Sequence, residues 1–286
     1  MRLRRMLAAA LIAGGVLVSP AASAPAAPGC TRTLNVVAHQ DDDLLFINPD
    51  VSRDIADGRC VTTAFVTAGD AGRPAAYWRG REAGAMAAYA AMAGVANRWT
   101  ADTVTLAGRK VLRRSLIGAP IKLLFLRLPD GHGYAVHGYQ TLHKLFSGEI
   151  ATIRAIDGTA RYSRQALIDT LAAVMTAHQP RVVRTLDYTG SLGDGDHADH
   201  HSAAYFAQAA HRLYRTPHWL VGYQGYRAVQ RPVNLPPEVR EDKLRWFLAY
   251  ASHDVRVCRT AAACRNGMYG PRFARRYPIS NESVGR

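Results

Sequence analysis

Two short segments of the 286-residue sequence concentrate side chains that could do chemistry. The first, Ala38-His39-Gln40-Asp41-Asp42-Asp43, sets one histidine beside three consecutive carboxylates. Neighbouring carboxylates repel one another, and a bound cation removes that cost. If the chain turns helically there, His39 and Asp42 share one side at i and i+3 while Asp41 points elsewhere. A capped turn with solvated aspartates is the non-functional alternative. The second segment, Asp194-Gly195-Asp196-His197-Ala198-Asp199-His200-His201, places His197 and His200 in one helical turn. Imidazole and carboxylate suit zinc. His39, Asp42 and one histidine of the second segment would supply three ligands and leave a fourth position open to water, as in a catalytic zinc site. A calcium loop through Asp194, Asp196 and Asp199 is the competing reading, and three histidines argue against so hard a cation.

The elements around these segments follow from periodicity and punctuation. β-branched, apolar runs predict strands at 33–37 and 60–67, and an Ala-rich stretch predicts a helix over 77–92 that Gly94 ends. Strands are expected at 102–106, 109–116 and 122–128, the last buried and central. Ser163 caps a helix reaching His178. Strand 181–186, helix 200–214, strand 218–223 and helix 237–250 complete the alternation. That pattern predicts an α/β fold: a Rossmann-like, mainly parallel sheet with helices on both faces, plus a β-hairpin insertion at 102–116. No linker interrupts it, so residues 27–286 read as one domain. Both reactive segments follow strands, and open α/β sheets build their sites at the carboxyl ends of parallel strands.

Composition narrows the function further. With 48% hydrophobic and 20% charged residues the chain is neither disordered nor a repeat array. Met1–Arg5 is basic, the following run to Val18 is apolar, and small residues around Ala24 and Ala26 offer cleavage points. Residues 1–26 are therefore expected to be a secretory signal peptide, too short to span a bilayer, and the mature protein to be extracellular with no transmembrane segment. Export predicts oxidised cysteines. Cys30 and Cys60 each precede a strand of the same parallel pair, so they are expected to bond, leaving Cys258 to pair with Cys264. The formal charge of +14 falls to +11 without Arg2, Arg4 and Arg5. Outside the cell that charge points to an anionic envelope polymer or membrane surface rather than nucleic acid. No Gly-x-Ser-x-Gly elbow, Walker A loop or dinucleotide fingerprint occurs.

Val37-Ala38-His39-Gln40-Asp41-Asp42-Asp43 resembles the Ala-His-Pro-Asp-Asp-Glu motif of the PIG-L/LmbE-like deacetylases, and His197-Ala198-Asp199-His200 is similar to their His-x-Asp-His motif. Thr67–Gly72, Arg81-Glu82 and Leu128–Gly131 fall between them in family order, so the resemblance covers roughly 34–223 and looks like the secreted bacterial branch. Gln40 stands where the family has proline and Asp43 where it has glutamate, which implies a looser turn. The resemblance implies that His39, Asp42 and His200 bind Zn²⁺, that Asp41 is the general base, and that a cationic His197 is the acid or electrostatic partner. It further implies that Asp70, Arg81 and Asp130 contact sugar hydroxyls, with Arg73 and His132 as weaker candidates. Asp199 is expected to support a ligand or cap the helix, and His143, His201 and His211 to be structural. Arg272–Tyr277 is expected to be a solvated terminal segment. The function so implied is zinc-dependent removal of an N-acetyl group from an N-acetylglucosamine-type sugar or glycoconjugate. A metal phosphoesterase and a non-catalytic carbohydrate-binding protein are the alternatives.

Overall fold

The computed structural model describes residues 29–133 and 135–285. The expected signal segment, 1–26, lies outside them. The chain runs β1 (Arg32–Val37), α1 (Asp50–Ala56), β2 (Cys60–Thr67), α2 (Ala75–Ala93), β3 (Trp99–Leu106), β4 (Arg109–Leu116), β5 (Ile121–Leu128) and α3 (Leu142–Ser147). It continues through β6 (Ile153–Arg154), β7 (Arg161–Tyr162), α4 (Arg164–His178), β8 (Val182–Thr185), α5 (Ala198–Leu213), β9 (His218–Tyr223), α6 (Pro237–Ala251), α7 (Ala261–Asn266), α8 (Gly270–Phe273) and β10 (Pro278–Val284).

The fold is mixed α/β, as expected. Its main sheet has the order β10-β9-β8-β1-β2-β5-β4-β3, in which β9, β8, β1, β2 and β5 run parallel. β1 and β2 are buried almost end to end, because strands in a parallel sheet are covered on both faces and cannot alternate polar with apolar. The chain moves from β1 to β2 and on to β5 in one direction, then returns to β8 and β9 on the other side of β1. Right-handed crossovers therefore send the two sets of helices to opposite faces. Accordingly α2 packs with α1 and α6, while α4 and α3 pack with α5.

Several features depart from the sequence reading. The expected hairpin β3–β4 extends the main sheet at one edge, pairing antiparallel with β5. The opposite edge is closed by β10, antiparallel to β9, and a second hairpin, β6–β7, stands apart. The terminal segment expected to be solvated is anchored: Phe273 and Ala274 are buried. The buried Lys243 ammonium donates to the carbonyls of Arg272, Arg275 and Leu45 at 2.9–3.1 Å. Three converging carbonyls satisfy an ammonium's three donors, so one side chain of α6 ties the terminal segment to the chain just after Asp42–Asp43.

Both expected disulfides are present, Cys30–Cys60 with Cα atoms 5.7 Å apart and Cys258–Cys264 with 5.1 Å. The first closes a separation of 30 residues and the second one of 6. Loop-closure entropy then predicts that serine at both Cys30 and Cys60 lowers unfolding free energy by about 3–4 kcal/mol, and at both Cys258 and Cys264 by about 2 kcal/mol. Denaturant unfolding of the two double variants checks this ordering; equal losses contradict it.

Candidate metal centre

The chain leaves β1 towards β2 and later returns as β8 on the other flank of β1, so the crevice beyond the ends of β1 and β8 is the switch point of the sheet. The two reactive segments leave these two strands and meet there. After β1 the backbone turns at once: Leu45 N–H donates to Asp41 O at 3.0 Å, and Asp43–Ile47 forms a single turn of π-helix. The turn is not loosened by the loss of proline. Gln40 is buried and its amide donates to Thr67 O at the end of β2, 3.0 Å away.

The turn sends the three carboxylates to three different partners. Asp42 goes to the histidines: its Oδ2 accepts the His39 backbone N–H at 2.7 Å, and its Oδ1 lies 3.3 Å from His39 Nδ1 and 3.1 Å from His200 Nε2. Asp41 meets the guanidinium of Arg81. Asp43 accepts from the Tyr89 hydroxyl and from the Leu44 backbone N–H. Burial pushes the Asp43 carboxyl up to about 7. Burial also raises Asp41, outweighing the opposing pull of Arg81.

His39, Asp42 and His200 form a buried group whose ligand atoms lie within 4.8 Å of one another. Ligands of a tetrahedral zinc site, at about 2.0–2.1 Å from the ion, stand about 3.3 Å apart. The 3.1 and 3.3 Å separations around Asp42 Oδ1 match that spacing. His200 Nε2 is buried without a hydrogen-bond partner, as a lone pair awaiting a cation would be. Each imidazole has a carboxylate behind it: His200 Nδ1 meets Asp196 Oδ1 at 2.8 Å, and His39 Nε2 faces Asp199 Oδ2 at 3.5 Å and Asp130 Oδ2 at 3.6 Å. Such backing fixes the tautomer that offers its other nitrogen to a metal. The field agrees. Burial opposes charge on both imidazoles, yet Asp42 and Asp130 hold His39 well above its usual range, and Asp42 with Asp196 raises His200 to about 9. The donor set fits a divalent transition metal.

A second group of possible ligands, His39, Asp130, His197 and Asp199, lies beside the first; most of its atoms are engaged, while His39 Nε2 and Asp199 Oδ1 are buried without a hydrogen-bond partner. Asp199 Oδ2 accepts Gly131 N–H at 2.7 Å, Asp130 Oδ1 accepts His132 N–H at 2.8 Å, and His197 Nδ1 accepts Asp199 N–H at 3.1 Å. This last bond makes His197, not Asp199, the N-cap of α5. It also corrects the expectation of a cationic His197. Burial, with His39 and His200 alongside, pushes its pKa down to about 2, and a ring whose Nδ1 accepts carries its proton on Nε2. That Nε2 stands 3.2 Å from His132 Nδ1.

The residues expected to touch sugar are placed differently. Asp70 is fully buried; its carboxylate accepts the backbone N–H groups of Asp130 and Gly72 and meets His137 Nε2 at 2.6 Å. Arg81 is buried and spends each of its nitrogens on the protein: Nη2 on Asp41, Nη1 on Gly69 O and Nε on the Tyr250 hydroxyl, the last two at 2.7 Å. Asp130 adjoins His39 rather than open solvent. His201 is buried and satisfied by Asp187 O and Asp194, and Asp194 and Asp196 are thereby turned away from a calcium loop. Tyr89, Tyr226, Tyr250 and Asp254 carry no place in the site as read from the sequence, and Asp196 carries one only as a residue of the competing calcium loop. Tyr226 packs edge-on against His200 with centroids 4.9 Å apart, and Asp254 accepts from Tyr250 at 2.7 Å. Only Asp196 carried a local signal, four residues before a ligand-type histidine in a nascent helix.

No curated protein matches the sequence. Among solved structures, a deacetylase triple mutant from the teicoplanin biosynthetic pathway is 18% identical with a TM-score of 0.47, covering 84% of this chain and 89% of its own. The 4-carboxy-2-hydroxymuconate hydratase of Pseudomonas putida KT2440 is 17% identical with a TM-score of 0.43, covering 82% and 88%. The N,N'-diacetylchitobiose deacetylase of Pyrococcus horikoshii is 14% identical with a TM-score of 0.45, covering 78% and 70%. The PIG-L pattern, described as GlcNAc-PI de-N-acetylase, matches residues 34–211, which contain both reactive segments, and the chain belongs to that family.

Proposed function

We propose that the protein is an exported, zinc-dependent hydrolase that removes an N-acetyl group from an N-acetylglucosamine-type sugar or glycoconjugate. The observation that carries this reading is Asp42 Oδ1 set between His39 Nδ1 and His200 Nε2, with an acid–base group outside that ligand set, the Arg81-paired Asp41, immediately before it in the chain. Membership of a de-N-acetylase family supports the reaction class. Two disulfides support an oxidising compartment.

Zinc held by His39, Asp42 and His200 would supply Lewis acidity towards water and an amide carbonyl. Asp41 takes the proton from the attacking water. Burial raises its pKa and so brings it closer to that of a base working near neutrality, while Arg81 fixes the carboxylate's direction. His197 acts as a neutral donor. Its Nε2–H, turned from His132, reaches the amide oxygen as that oxygen gains negative charge. Because His197 holds no spare proton, Asp41 returns its proton to the departing nitrogen when the C–N bond breaks. The products are acetate and the free amino sugar.

Acetate release from a panel of N-acetylated glycans by zinc-loaded protein tests the reaction; no release from any of them contradicts it. Asp41→Asn is expected to keep the metal and lower kcat by about 10²–10⁴-fold with little change in KM. Loss of metal from that variant at unchanged fold would exchange the roles of Asp41 and Asp42. Asp196→Asn is expected to weaken zinc binding about 10–100-fold, since it removes the carboxylate behind His200. Competition titration against a chelator reads this directly, and unchanged affinity would deny Asp196 that role.

A further inference from the structure

Large apolar side chains exposed to solvent are not spread evenly over this molecule. Val136 follows β5, Leu192 follows β8, and Val229 and Val233 follow β9, all on loops at the carboxyl end of the parallel strands. Val255 and Met268 join them. Val255 adjoins Asp254, which holds Tyr250 against Arg81, and the Met268 carbonyl accepts from Arg272, whose guanidinium lies over Tyr226. These loops touch one another around the metal centre: Val136 lies against Gly72, and Arg227 pairs with Asp194 at 2.9 Å. Val136, Val255 and Met268 keep 67–68% of their surface, far more than side chains folded back on a core.

Single exposed apolar side chains are ordinary on a protein surface; what sets these apart is that they gather at one end of the molecule, beside exposed arginines. Here they come one or two to a loop, at separate tips, and not as the continuous packed patch of a protein interface. Exposed arginines stand among them. Arg73 follows β2, Arg231 lies between Val229 and Val233, and Arg256 adjoins Val255; among the described residues none of the three has a carboxylate within ion-pair distance. Apolar tips flanked by cations without a carboxylate partner, on a chain whose charge is +11 without Arg2, Arg4 and Arg5, match the headgroup region of an anionic bilayer, which takes apolar side chains below and basic ones at its surface. Among the described residues no helix is long and apolar enough to cross a membrane, so the contact is peripheral.

We infer that the end of the molecule bearing the metal centre docks on an anionic lipid surface through Val136, Val255 and Met268, with Arg73, Arg231 and Arg256 against the headgroups. This contact needs neither metal nor turnover, so it stands apart from the proposed reaction. Co-sedimentation with phosphatidylcholine vesicles, with and without phosphatidylglycerol, tests it. The protein is expected to bind the mixed vesicles and to partition at least about tenfold less on pure phosphatidylcholine. The triple variant V136S/V255S/M268S is expected to lose about tenfold or more in partitioning, while keeping the parent's acetate release from a soluble N-acetylated sugar. Ile117→Ser with Leu213→Ser removes exposed apolar groups from the opposite end and should leave partitioning unchanged. Absence of binding to the mixed vesicles, or equal loss in both variants, overturns the inference. So does a dimer in sedimentation velocity that the triple variant abolishes, which would assign the face to a second copy of this chain.

Discussion

Three consecutive carboxylates are buried at the end of β1, and no fold can leave them there uncompensated. An isolated carboxylate in a protein interior costs several kcal/mol, and adjacent ones repel besides. The solution is to divide them by direction. A tight turn entering a π-helix sends Asp41 to Arg81, Asp42 to His39 and His200, and Asp43 to Tyr89. Arg81 and Tyr89 lie on α2, and His200 lies on α5. The helices on the two faces of the sheet are thus pinned to one short loop by its charge, and the placement of those helices cannot change without exposing that charge.

Two of the three partners are internal: one guanidinium and one phenol. The third direction remains electrostatically hungry. Asp42 holds two imidazoles, each backed by a further carboxylate, and both imidazoles are driven towards the charged form against the effect of burial. A divalent cation satisfies the same field while leaving both rings neutral, which is the form in which histidine binds a metal. The candidate metal centre is in this sense the remainder left when the other two carboxylates have been neutralised by the protein.

What could be read from the sequence was local. The order of strands and helices, the Cys258–Cys264 bridge, and the approach of His39 and Asp42 at i and i+3 depend on near neighbours, and the Cys30–Cys60 bridge follows from the pairing of two successive strands. What could not be read depends on contacts between distant segments. Arg81 is expected from the resemblance to contact sugar hydroxyls, and its ties to Tyr250 and Asp254, about 170 residues later, have no local signal. Lys243 reads as one more charge on an amphipathic helix, and only the convergence of three carbonyls explains its burial. The family resemblance implies a cationic His197, acting as acid or electrostatic partner. The backbone N–H it caps decides otherwise, because an accepting ring nitrogen cannot also be protonated. Several of these supports, Tyr226, Lys243, Tyr250 and Asp254, lie beyond the family match at 34–211, so the chain's last quarter completes a site whose reactive residues all precede it.

A cation held at Asp42 and one held at its neighbour Asp199 would occupy different groups of ligands. Anomalous diffraction at the zinc edge, from crystals of the zinc-loaded protein, distinguishes the two. A single strong peak is expected about 2.0–2.2 Å from His39 Nδ1, Asp42 Oδ1 and His200 Nε2. A peak among His39 Nε2, Asp130, His197 and Asp199, or none at either group, would contradict it.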